Sequence, residues 1–350
     1  MKHLTKLLII ILIMILSFGF GCNKTTYDKT YFNTNVYIET RDKKISDENE
    51  KQIDLILNNI ESQLSLNKDG SFCDTFNKAK KGEKVNLSVF AKDLLNLSLL
   101  YNGATNGKFN PAVLPLLNSW QLSSTAFLPT KIFVDIPSDT ELEKGVYLAS
   151  LFPSLTIEGD SVIKPEDGFL LDFGGIAKGF AVDKISAVIK SEGVKEGYIS
   201  IGGSSIYIFS TEEDLSITHP RKSKDTPYIL TVSSSVIKDK CLSTSGDYFR
   251  FYPDENGKYY SHVIDCETGY PVDTGIISLT VIGRTATECD ALSTALMSFS
   301  KSAFIDYVKA NLTDCSVFAV FCKDGEKQIL TNEKQGNFTL LDSSYSVYSI

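Results

Sequence analysis

Residues 172–180 read Asp-Phe-Gly-Gly-Ile-Ala-Lys-Gly-Phe, where an extended segment at 170–173 ends and a helical pattern that reaches residue 192 begins. This order predicts a strand that ends at a glycine pair and a helix that starts directly after it. Glycines at such a junction let backbone amides approach an anion, and the helix N-terminus favours negative charge. Lys178 could meet a phosphate as a point charge. A tight turn without a ligand is the alternative for the glycine pair taken alone.

Outward from this stretch, helical and extended patterns mix along the chain. Apolar residues recur at helical spacing at 47–64, 88–101, 138–150, 287–299 and 302–311. Short β-rich runs punctuated by turn residues occur at 31–40, 155–158, 198–201, 206–209, 229–232, 259–264, 276–282, 317–322 and 327–330. A loop is expected from residue 109 toward Trp120. With no repeat or linker in between, we predict a single α+β domain over 22–350, an antiparallel sheet with packed helices.

Size and charge narrow the class of protein. The chain has 350 residues, 43% of them hydrophobic, which is ample for a sizeable core. Its formal net charge is −8 and no block of Lys and Arg stands out. An acidic chain without a basic patch is poorly suited to bind a phosphate backbone, so no nucleic acid is expected as a partner.

The first 21 residues have the layout of a signal peptide. A short basic start is followed by an apolar run at 7–20, which is too short to span a bilayer comfortably. Cys22 comes directly after the run and is the predicted site of lipidation, although Gly19 stands where a Leu-like residue is usual. We therefore expect an exported lipoprotein, anchored in the membrane and facing the extracytoplasmic side. An uncleaved N-terminal anchor is the alternative.

The remaining cysteines do not form a recognisable metal or redox motif. After Cys22, six cysteines are left, and none of them forms a CxxC pair. A zinc ribbon or a thioredoxin-like site is therefore not expected. An even number in an exported chain permits disulfides without establishing them.

A histidine near an acid is the first candidate for proton transfer. Only His219 and His262 lie outside the N-terminal segment, and His262 ends a β-rich run with Asp265 three residues later. A histidine there could accept a proton near neutral pH, with the acid orienting its ring. A structural role is the alternative for a single histidine.

A carboxylate and a hydroxyl on one helix face form a candidate metal site. Asp290 and Thr294 are four residues apart in a helical pattern, so they project from the same face. Such oxygen ligands suit a hard cation such as Mg²⁺, which also keeps positions for substrate phosphate. The alternative is an Asp that interacts with the helix dipole and a Thr that bonds a backbone carbonyl. Together with the anion site and the histidine, this pair supplies the parts needed to break a pyrophosphate.

The motifs and their order carry a resemblance to a known family. They are Phe32-Asn33-Thr34, Phe76-Asn77, Gly107-Lys108-Phe109-Asn110-Pro111, the stretch 172–183, Gly202-Gly203, Thr244-Ser245-Gly246, His262-Val263-Ile264-Asp265 and the stretch 290–294. Taken together, they resemble the ApbE family of FAD:protein FMN transferases over nearly the whole chain after residue 21. The resemblance implies an α+β fold related to T-fold sheets. It also implies Mg²⁺-dependent transfer of FMN from FAD to a Thr or Ser hydroxyl of an exported acceptor flavoprotein, with release of AMP.

Site residues follow from the resemblance position by position. It implies that the FAD site is lined by Phe32, Asn67, Lys108, Phe109, Asn110, Asp172, Lys178 and Ile264. It implies that Mg²⁺ is bound by the carbonyl of Gly175 with Asp290 and Thr294, and that Ser293 lies beside them. His262 is then the base for the acceptor hydroxyl.

Departures from the family pattern leave alternatives open. Asn67 stands where many members have a Tyr that is expected against the flavin, and Asn cannot supply the same stacking surface. Water could then enter, which makes a Mg²⁺-dependent FAD pyrophosphatase the second hypothesis. A lipoprotein that binds flavin without chemistry is the third. Cys266 replaces a usual Pro, so the loop beneath His262 is expected to be looser or redox-sensitive. Ser204 and Ser205 follow the glycine pair where an acidic residue is common.

Overall fold

The computed structural model describes residues 24–123, 135–248, 251–254 and 259–350. The signal peptide predicted at 1–21 and the lipidation site predicted at Cys22 lie outside these residues. None of the helices within the described ranges combines the length and the apolar character that crossing a bilayer requires.

Helices and strands are interspersed along the described chain. The helices are α1 (Asp47–Leu64), α2 (Phe72–Lys78), α3 (Val89–Ala104), α4 (Leu114–Ser119), α5 (Asp139–Ser150), α6 (Ala177–Ser191), α7 (Ser234–Ile237), α8 (Ala286–Leu296) and α9 (Lys301–Asn311). The strands of the first half are β1 (Thr25–Tyr31), β2 (Thr34–Thr40), β3 (Lys84–Asn86), β4 (Ile157–Glu158), β5 (Ser161–Ile163), β6 (Gly197–Ile201), β7 (Ser205–Ser210) and β8 (Leu215–Thr218). The later strands are β9 (Tyr228–Val232), β10 (Lys240–Gly246), β11 (Phe251–Pro253), β12 (Tyr259–Ser261), β13 (Ile276–Gly283), β14 (Ser316–Lys323), β15 (Glu326–Thr331), β16 (Phe338–Leu340) and β17 (Ser346–Ser349).

One large sheet organises the fold. Within the described residues it has nine strands in the order β1-β2-β6-β7-β10-β13-β14-β15-β17. The neighbouring strands are antiparallel, except that β17 runs parallel to β15. The antiparallel sheet with helices packed on it confirms the predicted α+β class.

Both faces of the large sheet are covered, and β13 shows how. All eight of its residues are buried. Leu279 and Val281 face the core under the helices, whereas Ile277 and Ile282 face a second core on the other side. Helices α6 and α8 cover the first face, and the small sheet β16-β9-β8 covers the second. A strand buried on both faces is apolar along most of its length, and residues 276–282 are apolar except for Ser278 and Thr280.

Strong local signals predicted several helices correctly. The helix predicted at 47–64 is α1 with the same bounds, because a buried stripe that includes Ile53, Leu57 and Ile60 has helical spacing. The Ser46 side chain caps it by accepting a hydrogen bond from the amide of Asn49. Helices α3, α5, α6, α8 and α9 also lie where helical patterns were predicted.

The extended segment at 170–173 is not a strand, contrary to the sequence prediction. Its backbone pairs with a side chain: Asn77 accepts from the Leu171 amide at 2.8 Å and donates to the Leu171 carbonyl at 3.0 Å. The next amide, that of Asp172, donates to the Pro111 carbonyl. One amide side chain thus replaces the neighbouring strand that a ladder would need.

Two other predicted segments also differ from the structure. Residues 31–40 do not form one strand, because Phe32 and Asn33 adopt positive φ angles of 54° and 55° and turn the chain between β1 and β2. The loop expected from residue 109 toward Trp120 is a short 3₁₀ turn followed by α4. The Asn110 side chain begins that turn by accepting a hydrogen bond from the Ala112 amide.

Candidate active site

Gly174 and Gly175 directly precede helix α6, which packs on the same face of the large sheet as α8. Asp172 accepts a hydrogen bond from the Gly174 amide at 2.7 Å, and Lys178 Nζ donates to the Gly174 carbonyl at 3.1 Å. The N-cap residue of α6 is Ile176, whose side chain makes no capping hydrogen bond. A Cβ at Gly175 would lie 3.1 Å from Thr294 Cγ2 and 3.2 Å from Thr294 Oγ1. Gly175 is therefore the residue that lets this loop approach helix α8 closely.

Asp290 joins α8 to α6 and to strand β10. Its side chain is buried, and the Gly179 amide donates to Oδ2 at 3.0 Å while Ser243 Oγ donates to Oδ1 at 2.9 Å. Lys178 Nζ lies 3.8 Å from Oδ2, so a positive charge stands beside the carboxylate. Each carboxylate oxygen has a fixed donor, which holds the group in one orientation.

Hydroxyl groups surround the same point. Thr294 Oγ1 lies 3.4 Å from the Gly175 carbonyl oxygen and 3.4 Å from Ser245 Oγ. Ser293 is buried, and its Oγ lies 2.9 Å from Ser245 Oγ and 3.1 Å from the Asp290 carbonyl oxygen, to which it donates. The structure therefore brings together Gly175, Asp290, Ser293 and Thr294, although the glycine lies far from the other three in the chain.

This donor set fits a hard cation. A backbone carbonyl, one carboxylate and one hydroxyl are oxygen ligands of the kind that Mg²⁺ accepts. No cluster of three or more His, Cys, Asp or Glu side chains suited to a metal occurs in the described part of the chain. A site with a single carboxylate leaves coordination positions for phosphate oxygens, as Mg²⁺ sites on nucleotides do. A side chain at Gly175 would crowd the Thr294 hydroxyl, which is consistent with a glycine there.

Lys108 connects the loop before α4 to the segment after His262. Its ammonium donates to Asp265 Oδ1 and Oδ2, both at 3.1 Å, and to Glu267 Oε2 at 2.6 Å. Desolvation works against the charge, but the hydrogen bonds to Glu267 and Asp265 outweigh it and raise the pKa of Lys108. The lysine is therefore fully charged near neutral pH, as a phosphate ligand must be.

His262 follows β12 directly and precedes a tightly bonded turn. The Asp265 carboxylate accepts from the Glu267 amide at 3.0 Å, and the Asp265 carbonyl accepts from the Gly269 amide at 2.8 Å. Trp120 Nε1 donates to the Gly269 carbonyl, which anchors the turn to the end of α4. Asp265 was expected to orient His262. These hydrogen bonds of Asp265 order the turn and hold Lys108, and an orienting role for His262 stays a prediction.

Three of the predicted FAD-site residues, Phe109, Ile264 and Phe32, lie on loops and turns. Phe109 and Ile264 are buried, and a Cβ at Gly175 would lie 3.5 Å from the Phe109 ring. Phe32 lies in the turn between β1 and β2, and its amide donates to Glu61 Oε1 at 2.7 Å. That turn reaches the site, because a Cβ at Gly202 would lie 3.1 Å from Thr34 Oγ1 and 3.6 Å from Lys178 Cδ.

Asn67 and Asn110 lie in different surroundings. Asn67 lies on the exposed loop after α1, and its backbone amide donates to Ser65 Oγ. Asn110 uses its side-chain oxygen for the Ala112 amide and its side-chain nitrogen for the Ala149 carbonyl at 3.0 Å. Asn110 therefore shapes the loop that carries Lys108 and Phe109, and its contact with FAD stays a prediction.

The cysteines of the described residues form no disulfide. Cys266 is buried beside Leu116 and Trp120 in a small satellite core. Burial raises the pKa of its thiol to about 12, with the neighbouring Asp265 adding to the rise. A buried protonated thiol is a poor nucleophile, which argues against the redox-sensitive loop expected from the sequence.

Sequence reasoning did not assign some residues that build this site. Ser243 and Ser245 hold Asp290 and Ser293, and Asp183 bonds the N-terminus of α8. The two serines alternate along β10, so recognising that strand would have placed both on the face toward α8. No local signal identifies Asp183, because its partners lie more than 100 positions further along the chain.

Comparison with known proteins agrees with the geometry. The sequence model of the ApbE family matches residues 25–319. An FAD:protein FMN transferase from Vibrio cholerae is 28% identical over 263 residues, 74% of this chain and 76% of that protein. One from Buchnera aphidicola is 30% identical over 266 residues, 75% of this chain and 76% of its own length.

Solved structures show the same fold. The flavin transferase ApbE from Vibrio cholerae superposes with a TM-score of 0.73 at 25% identity, covering 86% of this chain and 94% of that structure. The ApbE protein from Thermotoga maritima gives a TM-score of 0.71 at 23% identity, over 85% and 94% of the two chains. The predicted ApbE architecture is thereby confirmed, and this chain belongs to the ApbE family.

Proposed function

We propose that this chain is an FAD:protein FMN transferase that uses Mg²⁺ and attaches FMN to a Thr or Ser hydroxyl of an exported flavoprotein. One observation carries the proposal: the Thr294 hydroxyl lies 3.4 Å from the Gly175 carbonyl oxygen, and the Asp290 carboxylate, one turn earlier on α8, lies 3.8 Å from Lys178 Nζ at the start of α6. The relatives named above are transferases of this kind, which supports the same reaction here.

The residues have distinct tasks in this reaction. Gly175, Asp290 and Thr294 would hold Mg²⁺, which when bound neutralises charge on the pyrophosphate. Lys178, whose ammonium lies at the start of α6, attracts the phosphates. His262 accepts the proton of the acceptor hydroxyl as its oxygen attacks the FMN phosphorus. The bond between that phosphorus and the bridging oxygen breaks, and AMP leaves with the electron pair.

The place of action is also a proposal. The basic start, the apolar run and Cys22 support export and a lipid anchor, so the acceptor would be a protein on the extracytoplasmic side. Metabolic labelling with a fatty acid would test the anchor. Label lost in Cys22→Ala supports it, and label retained contradicts it.

The transferase proposal is tested by mass spectrometry of an acceptor domain incubated with the protein, FAD and Mg²⁺. We expect the acceptor to gain the mass of one FMN less one water, because its hydroxyl forms a phosphate ester, with no gain for Asp290→Ala or without Mg²⁺. Acceptors in which the target Thr is replaced by Val serve as the matched control. Authentic acceptors that stay unmodified while FAD is bound would overturn the proposal and favour a non-catalytic flavin carrier.

Hydrolysis of FAD to FMN and AMP is a second candidate activity. It is favoured by Asn67, which is exposed and offers no aromatic surface to cover a flavin. Water could then compete with the acceptor hydroxyl for the same phosphorus. Free FMN formed without any acceptor would identify this activity, whereas FMN formed only on an acceptor would exclude it.

A further inference from the structure

Helices α6 and α8 are joined at regularly spaced levels. Contacts recur about every four residues: as the residue number rises along α6 and the loop before it, the number of the partner residue in α8 falls by about four. The two helices are therefore antiparallel. The levels are Gly175 O with Thr294 Oγ1 at 3.4 Å, Gly179 N with Asp290 Oδ2 at 3.0 Å, and the Asp183 carboxylate with the amides of Ala286 at 2.7 Å and Thr287 at 2.9 Å. The proposed metal ligands lie at the first two levels, and Asp183 forms the third.

The middle level leaves no room between the helices. A Cβ at Gly179 would lie 2.2 Å from the Ala286 carbonyl oxygen and 2.8 Å from the Asp290 Cβ. The backbone of α6 therefore lies directly against the first turn of α8. This backbone contact sets the distance between α6 and α8. It does not by itself set the position of α8 along its own axis.

Asp183 supplies that constraint from the other helix. Its carboxylate accepts from the Ala286 and Thr287 amides and from the Thr287 hydroxyl. Thr285 caps the next amide, that of Glu288, at 3.2 Å. A carboxylate at a helix N-terminus also interacts favourably with the helix dipole. Burial raises the pKa of Asp183, and its hydrogen bonds from Thr287 and Ala286 oppose that rise.

We propose that Asp183 is a positioning residue for the metal site, because it holds α8 at the axial position in which Thr294 meets the Gly175 carbonyl and Asp290 meets the Gly179 amide. The inference rests on the proposed function for the metal itself. Asp183 lies one turn beyond Gly179, about 6 Å further along α6, and bonds the far end of the α8 segment that carries the ligands.

A shift of α8 would change the metal site because the proposed ligands belong to two separate segments of the chain. Gly175 belongs to the loop that enters α6, whereas Asp290 and Thr294 belong to α8. A small slide of α8 therefore changes the distances between ligands from the two sources. Mg²⁺ demands near-ideal octahedral geometry, so affinity should fall before the fold is lost.

The test compares metal binding in Asp183→Ala and Asp183→Asn with that in Glu141→Ala. Glu141 belongs to the capping box of α5, where it accepts from Ser138, and it lies outside the site. Mn²⁺, which shares the oxygen preference of Mg²⁺, is titrated by electron paramagnetic resonance. ADP is present as the probe for the adenosine pyrophosphate half of FAD. Melting temperatures are measured in parallel.

We expect Asp183→Ala to raise the Kd for Mn²⁺ by about tenfold, the lower end of losses seen when partners of metal ligands are removed. Asp183→Asn keeps one acceptor oxygen and should show a smaller increase in the same direction. Glu141→Ala should lower the melting temperature and leave the Kd unchanged. At saturating Mg²⁺ the kcat of the Asp183 variants should recover.

Two outcomes would overturn the inference, and they distinguish failure of the role given to Asp183 from failure of the proposed metal site. If the Asp183 variants melt earlier but bind Mn²⁺ within twofold of the parent chain, Asp183 is only a structural cap. If the parent chain and Asp290→Ala bind Mn²⁺ equally, the proposed metal site itself is wrong and the inference falls with it. Asp183→Asn decides the question if Asp183→Ala does not fold.

Discussion

Replacement of Gly179 by Ala should destabilise the protein, although Ala is the better helix former. The new Cβ would lie 2.2 Å from the Ala286 carbonyl oxygen. Even favourable contacts between carbon and a carbonyl oxygen are at about 3.3–3.6 Å, so α6 and α8 would have to separate by roughly 1 Å. The obstacle is backbone, which cannot change rotamer to make room.

The magnitude follows from two opposing effects. Ala in place of Gly in a helix interior stabilises by about 1 kcal/mol. Overpacking of a well-packed contact costs about 1–3 kcal/mol and occasionally more. Because the contact at Gly179 is made by the backbone of α8, the cost should lie in the upper part of this range. We expect a net loss of about 1–2 kcal/mol in the free energy of unfolding.

Urea unfolding of Gly179→Ala and Gly103→Ala provides the measurement and its control. Gly103 lies near the end of α3 and is exposed, and a Cβ added to it would have no atom within 4 Å. The control should gain up to about 1 kcal/mol from helix propensity alone. Gly179→Ala should also need more Mg²⁺ for half-maximal FMN transfer. If both variants gained stability equally, the close contact of α6 and α8 would not constrain the site.

Three further substitutions test other parts of the chain. His262→Gln should lower the kcat of FMN transfer by about 10²–10⁴-fold and leave FAD binding, followed by flavin fluorescence, unchanged; an unaltered kcat would remove His262 as the base. Asn67→Tyr should reduce free FMN formed without acceptor, and unchanged hydrolysis would refute the role given to Asn67. Burial lowers the pKa of Lys164 from 10.5 to about 8. Between these pH values the unfolded chain binds more protons than the folded chain, so the contribution of Lys164 to the free energy of unfolding rises with pH from about 8 to 10.5. Lys164→Met should abolish that rise, which urea unfolding at several pH values would measure.

The sequence was informative where the cause of a structure is local. Helix α1 has its predicted bounds because its apolar stripe and its Ser46 cap lie within one segment. Asp290 and Thr294 share a face for the same reason, since four residues make about one helical turn. The predicted strand at 170–173 was wrong because the partner of Leu171 is the side chain of Asn77, 94 positions earlier. No periodicity within the segment could have revealed that partner.

The candidate site depends more than the helices do on contacts between residues that are far apart in the sequence. The residue chemistry suggested an anion site, a histidine and a cation site that together could break a pyrophosphate, but it did not predict which residues contact one another. Gly175 and Thr294 are 119 positions apart, and their contact requires the close packing of α6 on α8. The resemblance to the ApbE family supplied this pairing before the structure did. Asp183 ends one of the stretches that carry this resemblance, but no role was assigned to it, because an acid on a helix gives no local sign that it bonds another helix.

The contacts of Lys108 indicate how FAD could enter a site whose charges are already paired. The Glu267 carboxylate is 64% exposed, and an ion pair with such a partner contributes about 0–1 kcal/mol. The Asp265 carboxylate is only 17% exposed and also bonds the turn after His262. A phosphate could therefore replace Glu267 on the ammonium at little cost, while Asp265 keeps Lys108 in place. Because Asp265 also orders the turn after His262, a ligand bound at Lys108 would be held near the segment that carries the proposed base.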